Sequence, residues 1–107
     1  MAKSIGTSPL TTSMKLVGGA WTPDIIWQLS SGSCRFNELK QNIEGISAKV
    51  LSERLRRLES YGLISRHVLG STPPAVEYSL TQLGAELKPI VESLIRVGKR
   101  LHQIDQL

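Results

Sequence analysis

The fold is decided by the stretch SAKVLSERLRRLES, which runs from Ser47 to Ser60. Leu51, Leu55 and Leu58 recur there at steps of four and three residues, the spacing at which side chains share one face of a helix. The serine at the start of the stretch can accept a hydrogen bond from a free backbone N–H of the first turn, which makes it a natural N-cap. The sequence therefore predicts an amphipathic helix that is anchored to a core through its leucines.

The opposite face of this helix is polar and mostly basic. Between Ser47 and Arg57, four lysine or arginine residues stand against one glutamate, a local surplus of +3. Such a helix fits the DNA major groove, where lysine and arginine reach guanine edges or phosphates. We expect Lys49, Ser52 and Arg56 to contact bases. A charged outer face is also typical of a helix that is simply solvated, so this pattern alone leaves both interpretations open.

Two other charged residues of the helix have alternative roles. Glu53 either accepts a hydrogen bond from a cytosine amino group or pairs with Arg57 one turn later. Arg54 lies at the inner margin of the helix, where pairing with a carboxylate is the simpler interpretation. Glu77 is one candidate partner, for Arg54 or for Arg66.

Three shorter helices and a short strand are predicted before this helix. Residues 10–17 form the first helix, which two glycines close. In the second helix, Thr22 is the predicted N-cap and Pro23 the first helical residue. The segment SCRF, residues 33–36, is typical of a short strand, and NELKQNI, residues 37–43, of a short helix.

After Gly62 the sequence pattern changes from that of helices to that of strands. LISRHVL and AVEYSL are rich in β-branched and aromatic residues and flank GSTPP, which predicts two strands around a protruding turn. Thr81 then caps a last helix over residues 81–105, with a kink at Pro89 because proline cannot donate to the carbonyl four residues back. The predicted fold class is mainly α with a small β-hairpin, a winged helix-turn-helix. This single domain, residues 9–107, follows a flexible N-terminus, residues 1–8.

The last helix carries an apolar seam. Its apolar residues repeat at alternating steps near three and four, as in the a/d seam of a coiled coil. Packing on the domain's own core is the alternative, but a domain of this size has little core to cover. We therefore expect N- and C-terminal dimerisation helices and a homodimer, which suits a pseudo-palindromic operator. The expected interface residues are Leu10, Met14, Leu87, Ile90, Val91, Leu94, Val97, Leu101 and Ile104.

Composition points to a cytoplasmic binding protein and not to an enzyme. The chain has 107 residues and a net charge of +4, which suits a polyanionic partner. It has no apolar run of the ~18 residues that a membrane span needs. One cysteine and two separated histidines, His67 and His102, offer no metal-ligand spacing, and we expect neither a metal nor a cofactor. No phosphate-cradling glycine loop or G-x-S-x-G nucleophile motif is present.

A few residues outside the amphipathic helix have both functional and structural interpretations. Cys34 is the one candidate for a thiol sensor, since the charge of Arg35 beside it would lower the pKa of the thiol. A small, partly buried structural residue is the simpler interpretation. Trp21 and Trp27 indicate packing; a small-molecule pocket beside them is possible, without a motif that supports one. Arg35 either reaches a phosphate or buttresses a neighbouring glutamate, and Lys40 is a plausible phosphate contact.

Four segments together resemble one known family. SPLTTSMKLVGGAW, RFNEL, ISAKVLSERLRRLESYGLISR and PPAVEYSLTQLG, in this order, are similar to the HxlR-type winged helix-turn-helix regulators, relatives of the MarR group. The resemblance runs from about Ser8 to Leu101. It implies a dimeric bacterial or archaeal transcription regulator whose helix 47–61 lies in the major groove. It also implies that the wing, residues 69–76, lies near the minor groove or backbone and that the terminal helices form the dimer interface.

The chain departs from this family pattern at three positions. Many members have a cysteine before the N-terminal proline, and several use it to sense electrophiles or oxidants; here that residue is Ser8, a far poorer nucleophile than a thiolate. The usual GGKW has Ala20 in place of lysine, and the usual PPRVEY has Ala75 in place of arginine. Each of the last two changes removes a positive charge, and we expect weaker phosphate binding.

The expected function is that of a sequence-specific, double-stranded DNA-binding transcription regulator associated with the nucleoid in the cytoplasm. A winged-helix module that binds an acidic partner protein is the alternative. The residues expected to contact DNA are Arg35, Lys40, Ser47, Lys49, Ser52, Glu53, Arg56, Arg57, Arg66, His67, Ser71 and Thr72.

Overall fold

The computed structural model describes residues 8–106. The flexible N-terminus expected over residues 1–8 therefore lies, apart from its last residue, outside the described residues. The elements in chain order are α1 (Pro9–Val17), α2 (Thr22–Leu29), β1 (Cys34–Arg35), α3 (Phe36–Asn42), α4 (Ala48–Ser60), β2 (Ile64–Leu69), β3 (Ala75–Leu80), α5 (Gln82–Ala85) and α6 (Lys88–Asp105). None of the helices within residues 8–106 has the length and apolar character needed to cross a membrane.

Helix α4 forms as its sequence predicts. The Ser47 hydroxyl accepts a hydrogen bond from the backbone N–H of Val50 at 3.1 Å and so caps the first turn. The three leucines of the stripe are between 0% and 1% exposed, which confirms that this face points into the core. Gly62 follows the helix with a φ of 74°, a left-handed conformation that glycine adopts without strain. Leu63 then folds back, and its N–H donates to the carbonyl of Leu58 at 3.1 Å.

The core lies where α2, α3 and α4 meet the first strand of the hairpin. Its apolar side chains come from five different segments, so each of these elements is held by burial as well as by its own hydrogen bonds. The cluster comprises Ile25, Leu29, Leu39, Ile43, Ile46, Leu51, Leu55, Leu58, Leu63 and Ile64.

The three strands form an antiparallel sheet in the order β1-β3-β2. Arg66 stands opposite Tyr78, and the next residue, His67, stands opposite Glu77. Because side chains alternate between the two faces of a sheet, these two cross-strand pairs point in opposite directions. The face that carries Tyr78 packs toward the core and α4, whereas the face that carries His67 is directed away from them.

Helix α2 starts differently from the prediction. The N-cap is Trp21, whose φ of 75° is left-handed. The helix therefore begins at Thr22, one residue earlier than predicted. Thr22 is therefore not the N-cap; it lies inside the first turn and is 4% exposed. Pro23 does occupy the first turn, where its missing N–H would have had no partner in the helix.

The predicted last helix is two helices. Thr81 does cap the first of them, since its hydroxyl accepts from the backbone N–H of Gly84 at 3.1 Å. The chain then leaves the helix after Ala85 and starts α6 at Lys88, with Pro89 in its first turn. The predicted kink at this proline is wrong, because a proline in the first turn has no hydrogen bond to break.

Helix α5 is fixed to the end of α4 by contacts that we call the Thr81 clip. The Thr81 hydroxyl donates to the carbonyl of Gly62 at 2.6 Å, and its N–H donates to the carbonyl of Leu63 at 3.1 Å. Gly84 packs so closely that a Cβ at this position would overlap the carbonyl oxygen of Leu63. Backbone therefore lies directly on backbone, and the end of α4 and the start of the C-terminal segment form one rigid junction.

Candidate nucleic-acid interface

The polar face of α4 is free in the described part of the chain. Lys49, Glu53, Arg56 and Arg57 are exposed, and Ser52 is half-buried. The leucine stripe on the other side holds the helix so that this face is presented as one surface. The structure thus leaves room for a polyanion along α4.

A cleft separates α4 from the inner face of the hairpin. Ser52, Arg56 and Glu59 line its helix wall, one turn apart from each other along α4. Arg66 and Tyr78, which pair across β2 and β3, line the opposite wall. The cleft has a volume of about 420 Å³. We call it the α4–wing cleft.

The other flank of α4 faces α1 and carries a second group of cations. Lys15, Arg54 and Arg57 line a shallow groove there. The Arg54 guanidinium donates through Nε to the carbonyl of Ala20 at 3.1 Å, so its partner is a backbone carbonyl, where the sequence suggested a carboxylate. Arg57 lies over the ring of Tyr61, with its guanidinium carbon 6.0 Å from the ring centroid.

The outer face of the hairpin is separate from the α4–wing cleft. There the Ser65 hydroxyl lies 2.9 Å from Nε2 of His67 and 3.0 Å from the hydroxyl of Ser79. Glu77 stands between His67 on one neighbouring strand and Arg35 on the other. The structure therefore does not bring Arg35 and His67 together with the residues of α4, because strand alternation turns both to the outer face of the sheet. A pairing of Glu77 with Arg66 is wrong for the same reason.

The remaining candidates lie on β1, on α3 and at the hairpin tip. The Glu38 carboxylate accepts from the backbone N–H of Arg35 at 2.7 Å and so caps α3, which leaves the arginine side chain exposed. Lys40 is exposed on α3. Ser71 and Thr72 are exposed at the hairpin tip, where the Ser71 hydroxyl donates to the carbonyl of Pro73 at 2.8 Å.

The only cysteine is not arranged as a reactive thiolate. Cys34 is half-buried in β1, with its sulfur 3.7 Å from the carbonyl oxygens of Gln28 and Gly32. Burial raises the pKa of this thiol, and the negative charges of Glu38 and Glu77 raise it further. The basic neighbour in sequence does not reverse this, so the thiol keeps its proton at neutral pH.

The position of the family's sensing cysteine has a structural role here. Ser8 is the N-cap of α1: its hydroxyl accepts from the backbone N–H of Thr11 at 3.1 Å and donates to the hydroxyl of Thr11 at 2.8 Å. Serine is among the best N-cap residues. No group of three or more His, Cys, Asp or Glu side chains within residues 8–106 could hold a metal ion.

An apolar strip runs along α1 and α6. Five side chains at a/d spacing on α6 are each about half exposed, and two on α1 are exposed as well. Val91 is a correction to the expected interface: it is 3% exposed, because it lies about 100° round the helix from Ile90 and packs within its own chain. Leu87 is half-buried against the core. The exposed members of the strip are Leu10, Met14, Ile90, Leu94, Val97, Leu101 and Ile104.

The comparisons with known proteins decide the family. The family model for HxlR-like helix-turn-helix proteins matches residues 16–106. The chain belongs to this family. Its curated relatives include an uncharacterized HTH-type transcriptional regulator, YkvN of Bacillus subtilis (strain 168), which is 43% identical over 84 residues, 78% of this chain and 71% of YkvN. The chain is thus a helix-turn-helix transcriptional regulator, as the family resemblance predicted.

Solved structures of similar chains confirm the winged-helix fold. A protein described as a MarR-family transcriptional regulator from Porphyromonas gingivalis W83 superposes with a TM-score of 0.85 and 38% identity, over 92% of this chain and 97% of that one. The redox regulator HypR in its reduced form also gives 0.85, with 33% identity over 92% of this chain and 98% of HypR. The order of helices and hairpin in the HxlR-like chain is therefore that of solved regulators.

Sequence reasoning missed three residues that the structure places beside α4. Tyr78 and Glu59 line the α4–wing cleft, and Lys15 joins Arg54 on the opposite flank. The position of Glu59 could have been deduced from the sequence. It lies seven residues, or two helical turns, after Ser52 and therefore on the same face of α4. Tyr78 and Lys15 reach α4 only through tertiary packing, which no local pattern shows.

Proposed function

We propose that this HxlR-like chain is a sequence-specific, double-stranded DNA-binding transcription regulator that acts as a homodimer in the cytoplasm, at the nucleoid. In this proposal α4 lies in the major groove, and the wing, formed by β2, β3 and the residues between them, lies near the minor groove or backbone. The observation that carries the proposal is the exposed basic face of α4, held outward by three leucines that are buried on the opposite side. The second helix of a helix-turn-helix reads DNA with its N-terminal half closest to the bases.

Base contact falls to Lys49, Ser52 and Arg56 in this arrangement. Lysine and arginine side chains of the reading helix recognise guanine through O6 and N7, and Ser52 can bond to more than one base. Arg57 on α4 and Lys40 on α3 are assigned to phosphates in this proposal. For Glu53, acceptance from a cytosine amino group and pairing with Arg57 both stay open.

The homodimer follows from the apolar strip on α1 and α6. Exposed apolar patches of this extent mark protein interfaces, and the a/d spacing of the α6 residues suits the same helix of a second copy. A two-fold dimer places two reading helices about one turn of DNA apart, which matches a pseudo-palindromic operator. The proposed interface is the seven exposed residues of the strip, without the buried Val91 and the half-buried Leu87.

The test is selection of bound sequences from a random pool of duplexes, followed by titration of the selected duplex. We expect an enriched, two-fold symmetric site. Arg56→Ala should then weaken binding by about 1–3 kcal/mol and relax the preference at one base pair. Arg96→Ala on α6 is the matched control, because Arg96 is an exposed arginine that bonds Ser93 at 2.9 Å, far from α4 in sequence. Uniform weakening on all sequences would assign Arg56 to a phosphate instead.

The alternative function, binding of an acidic partner protein, uses the same basic face. A selection that enriches no sequence would favour it over the DNA-binding proposal. Salt dependence gives a second criterion, since affinity for DNA falls steeply with salt as counterions are released from the duplex.

A further inference from the structure

The wing of this chain carries its positive charge in an unusual place. Between Ile64 and Leu80, Arg66 is the only lysine or arginine. The tip, residues 70–75, has the sequence GSTPPA and holds no charged side chain. The hydroxyl of Ser71 at the tip is already bonded to the carbonyl of Pro73. The tip therefore offers little attraction to a phosphate.

Arg66 is exposed on the side of the wing that faces α4. It lies on the inner face of the hairpin, opposite Tyr78, and both line the α4–wing cleft. Arg56 faces them from the other wall. Two guanidinium groups on separate elements thus border one polar cleft of about 420 Å³. Guanidinium groups bind phosphate through two parallel hydrogen bonds, which makes them suited to an anion between the walls.

Tyr78 adds a neutral donor to the same cleft. Its ring packs against the core, which fixes the side chain on a rigid support, and the residue lines the cleft beside Arg66. The hydroxyl is the only polar group of this side chain and can donate to a phosphate oxygen.

Glu59 makes the charge of the cleft uneven from one end to the other. It lies on the helix wall one turn beyond Arg56, toward the C-terminal end of α4, and adds a negative charge there. A phosphate is repelled by this carboxylate and attracted toward the end of the cleft near Ser52. That end belongs to the half of α4 that a helix-turn-helix places closest to the bases.

We infer that one DNA backbone phosphate per protomer is bound inside the α4–wing cleft by Arg66 and Tyr78. Arg56, on the opposite wall, keeps its base contact and adds only the attraction of its charge. The inference rests on the proposed function and deepens it: the inner face of the wing holds the backbone, and the tip and outer face do not. Glu59 limits how deep the phosphate enters.

The test compares neighbouring residues on opposite faces of the hairpin. The selected duplex is titrated with each variant by fluorescence anisotropy at several salt concentrations. Arg66→Gln should weaken binding about ten- to a hundredfold on every sequence, because a charge-assisted hydrogen bond is lost without any base contact. It should also reduce the slope of log K against log salt by about 0.9 per protomer. His67→Gln is the matched control, since His67 is the next residue but lies on the outer face; its affinity should stay within about twofold of the wild type.

Two further variants probe the cleft without disturbing the fold. Tyr78→Phe keeps the buried ring and removes the hydroxyl, so binding should weaken about two- to tenfold with the salt slope unchanged. Glu59→Gln should tighten binding, because it removes a negative charge beside the phosphate. A circular dichroism melt of each variant verifies that the fold is retained.

The inference is overturned if Arg66→Gln binds the duplex like the wild type, or if His67→Gln loses as much affinity as Arg66→Gln. In both cases wild-type binding to the selected duplex remains, and the proposed function stands. A wild-type protein that binds no duplex at low salt overturns the proposed function together with this inference, so the two failures are distinguishable.

Discussion

Gly84→Ala tests the junction between the end of α4 and the C-terminal helices. A Cβ at this position would overlap the carbonyl oxygen of Leu63, lie 2.9 Å from the carbonyl carbon and lie 3.3 Å from Cδ2 of Leu80. The first two atoms are backbone and cannot rotate away. Leu63 is also held by its hydrogen bonds to Leu58 and Thr81, both 3.1 Å long. The methyl group can fit only if α5 moves away from Leu63.

The expected cost is the sum of three effects. Overpacking of this kind costs about 1–3 kcal/mol. Separation of α5 from Gly62 and Leu63 weakens the two hydrogen bonds of the Thr81 clip, each contributing about 0.5–1.5 kcal/mol. Replacing a helical glycine by alanine returns about 0.5–1 kcal/mol. We therefore expect a net loss of about 2–3 kcal/mol in the free energy of unfolding. For a domain of this size that lowers Tm by about 10–20 °C.

The assay is thermal and urea unfolding followed by far-UV circular dichroism. All variants are compared at one protein concentration, because dimerisation makes Tm depend on concentration. Gly70→Ala is the matched control: its Cβ position has no heavy atom within 4 Å, so its Tm should stay close to that of the wild type. A Gly84→Ala variant that melts within about 2 °C of the wild type would refute the argument from close backbone packing.

Three other outcomes can be measured directly. Leu94→Glu places a charge in the apolar strip and should yield a monomer in sedimentation analysis at micromolar concentration, whereas Lys99→Glu, half a turn round α6, should remain dimeric; a dimeric Leu94→Glu contradicts the proposed interface. Ser47→Ala removes the N-cap of α4 and should cost about 1 kcal/mol in urea unfolding; an unchanged midpoint would show that the cap hydrogen bond contributes nothing. Because the pKa of Cys34 is raised by burial and by two carboxylates, its alkylation should be slow at pH 8 and accelerate only above the pH at which ordinary thiols ionise; fast labelling at pH 7 would contradict this.

The sequence was most informative where the signal is local. The leucine spacing, the Ser47 cap and Gly62 predicted α4 and its buried face, and the structure confirms all three. These features act within one or two helical turns, so each can be deduced without knowledge of the rest of the chain. The strands and turn of the wing were equally local and are also confirmed.

The sequence was least informative where the outcome depends on distant packing. Trp21 adopts a left-handed conformation that no propensity rule assigns to tryptophan, and this moved the cap of α2 by one residue. Val91 belongs to the apolar pattern of α6, but only the position of α2 decides that it is buried in its own chain. Arg66 and His67 are adjacent in sequence, and their separation to opposite faces depends on the strand register. The suggested pairing of Glu77 with Arg66 is wrong because the register places the two residues on opposite faces.

The Thr81 clip has a consequence for the operator that this regulator can accept. It joins the end of α4 to α5, which leads directly into α6 of the apolar strip, through two hydrogen bonds and one glycine contact. In the proposed dimer, each α4 is therefore connected to the two-fold axis without a flexible linker. The distance and angle between the two reading helices are then fixed. Insertion of one base pair between the half-sites would rotate one of them by about a tenth of a turn, and the rigid dimer could not follow.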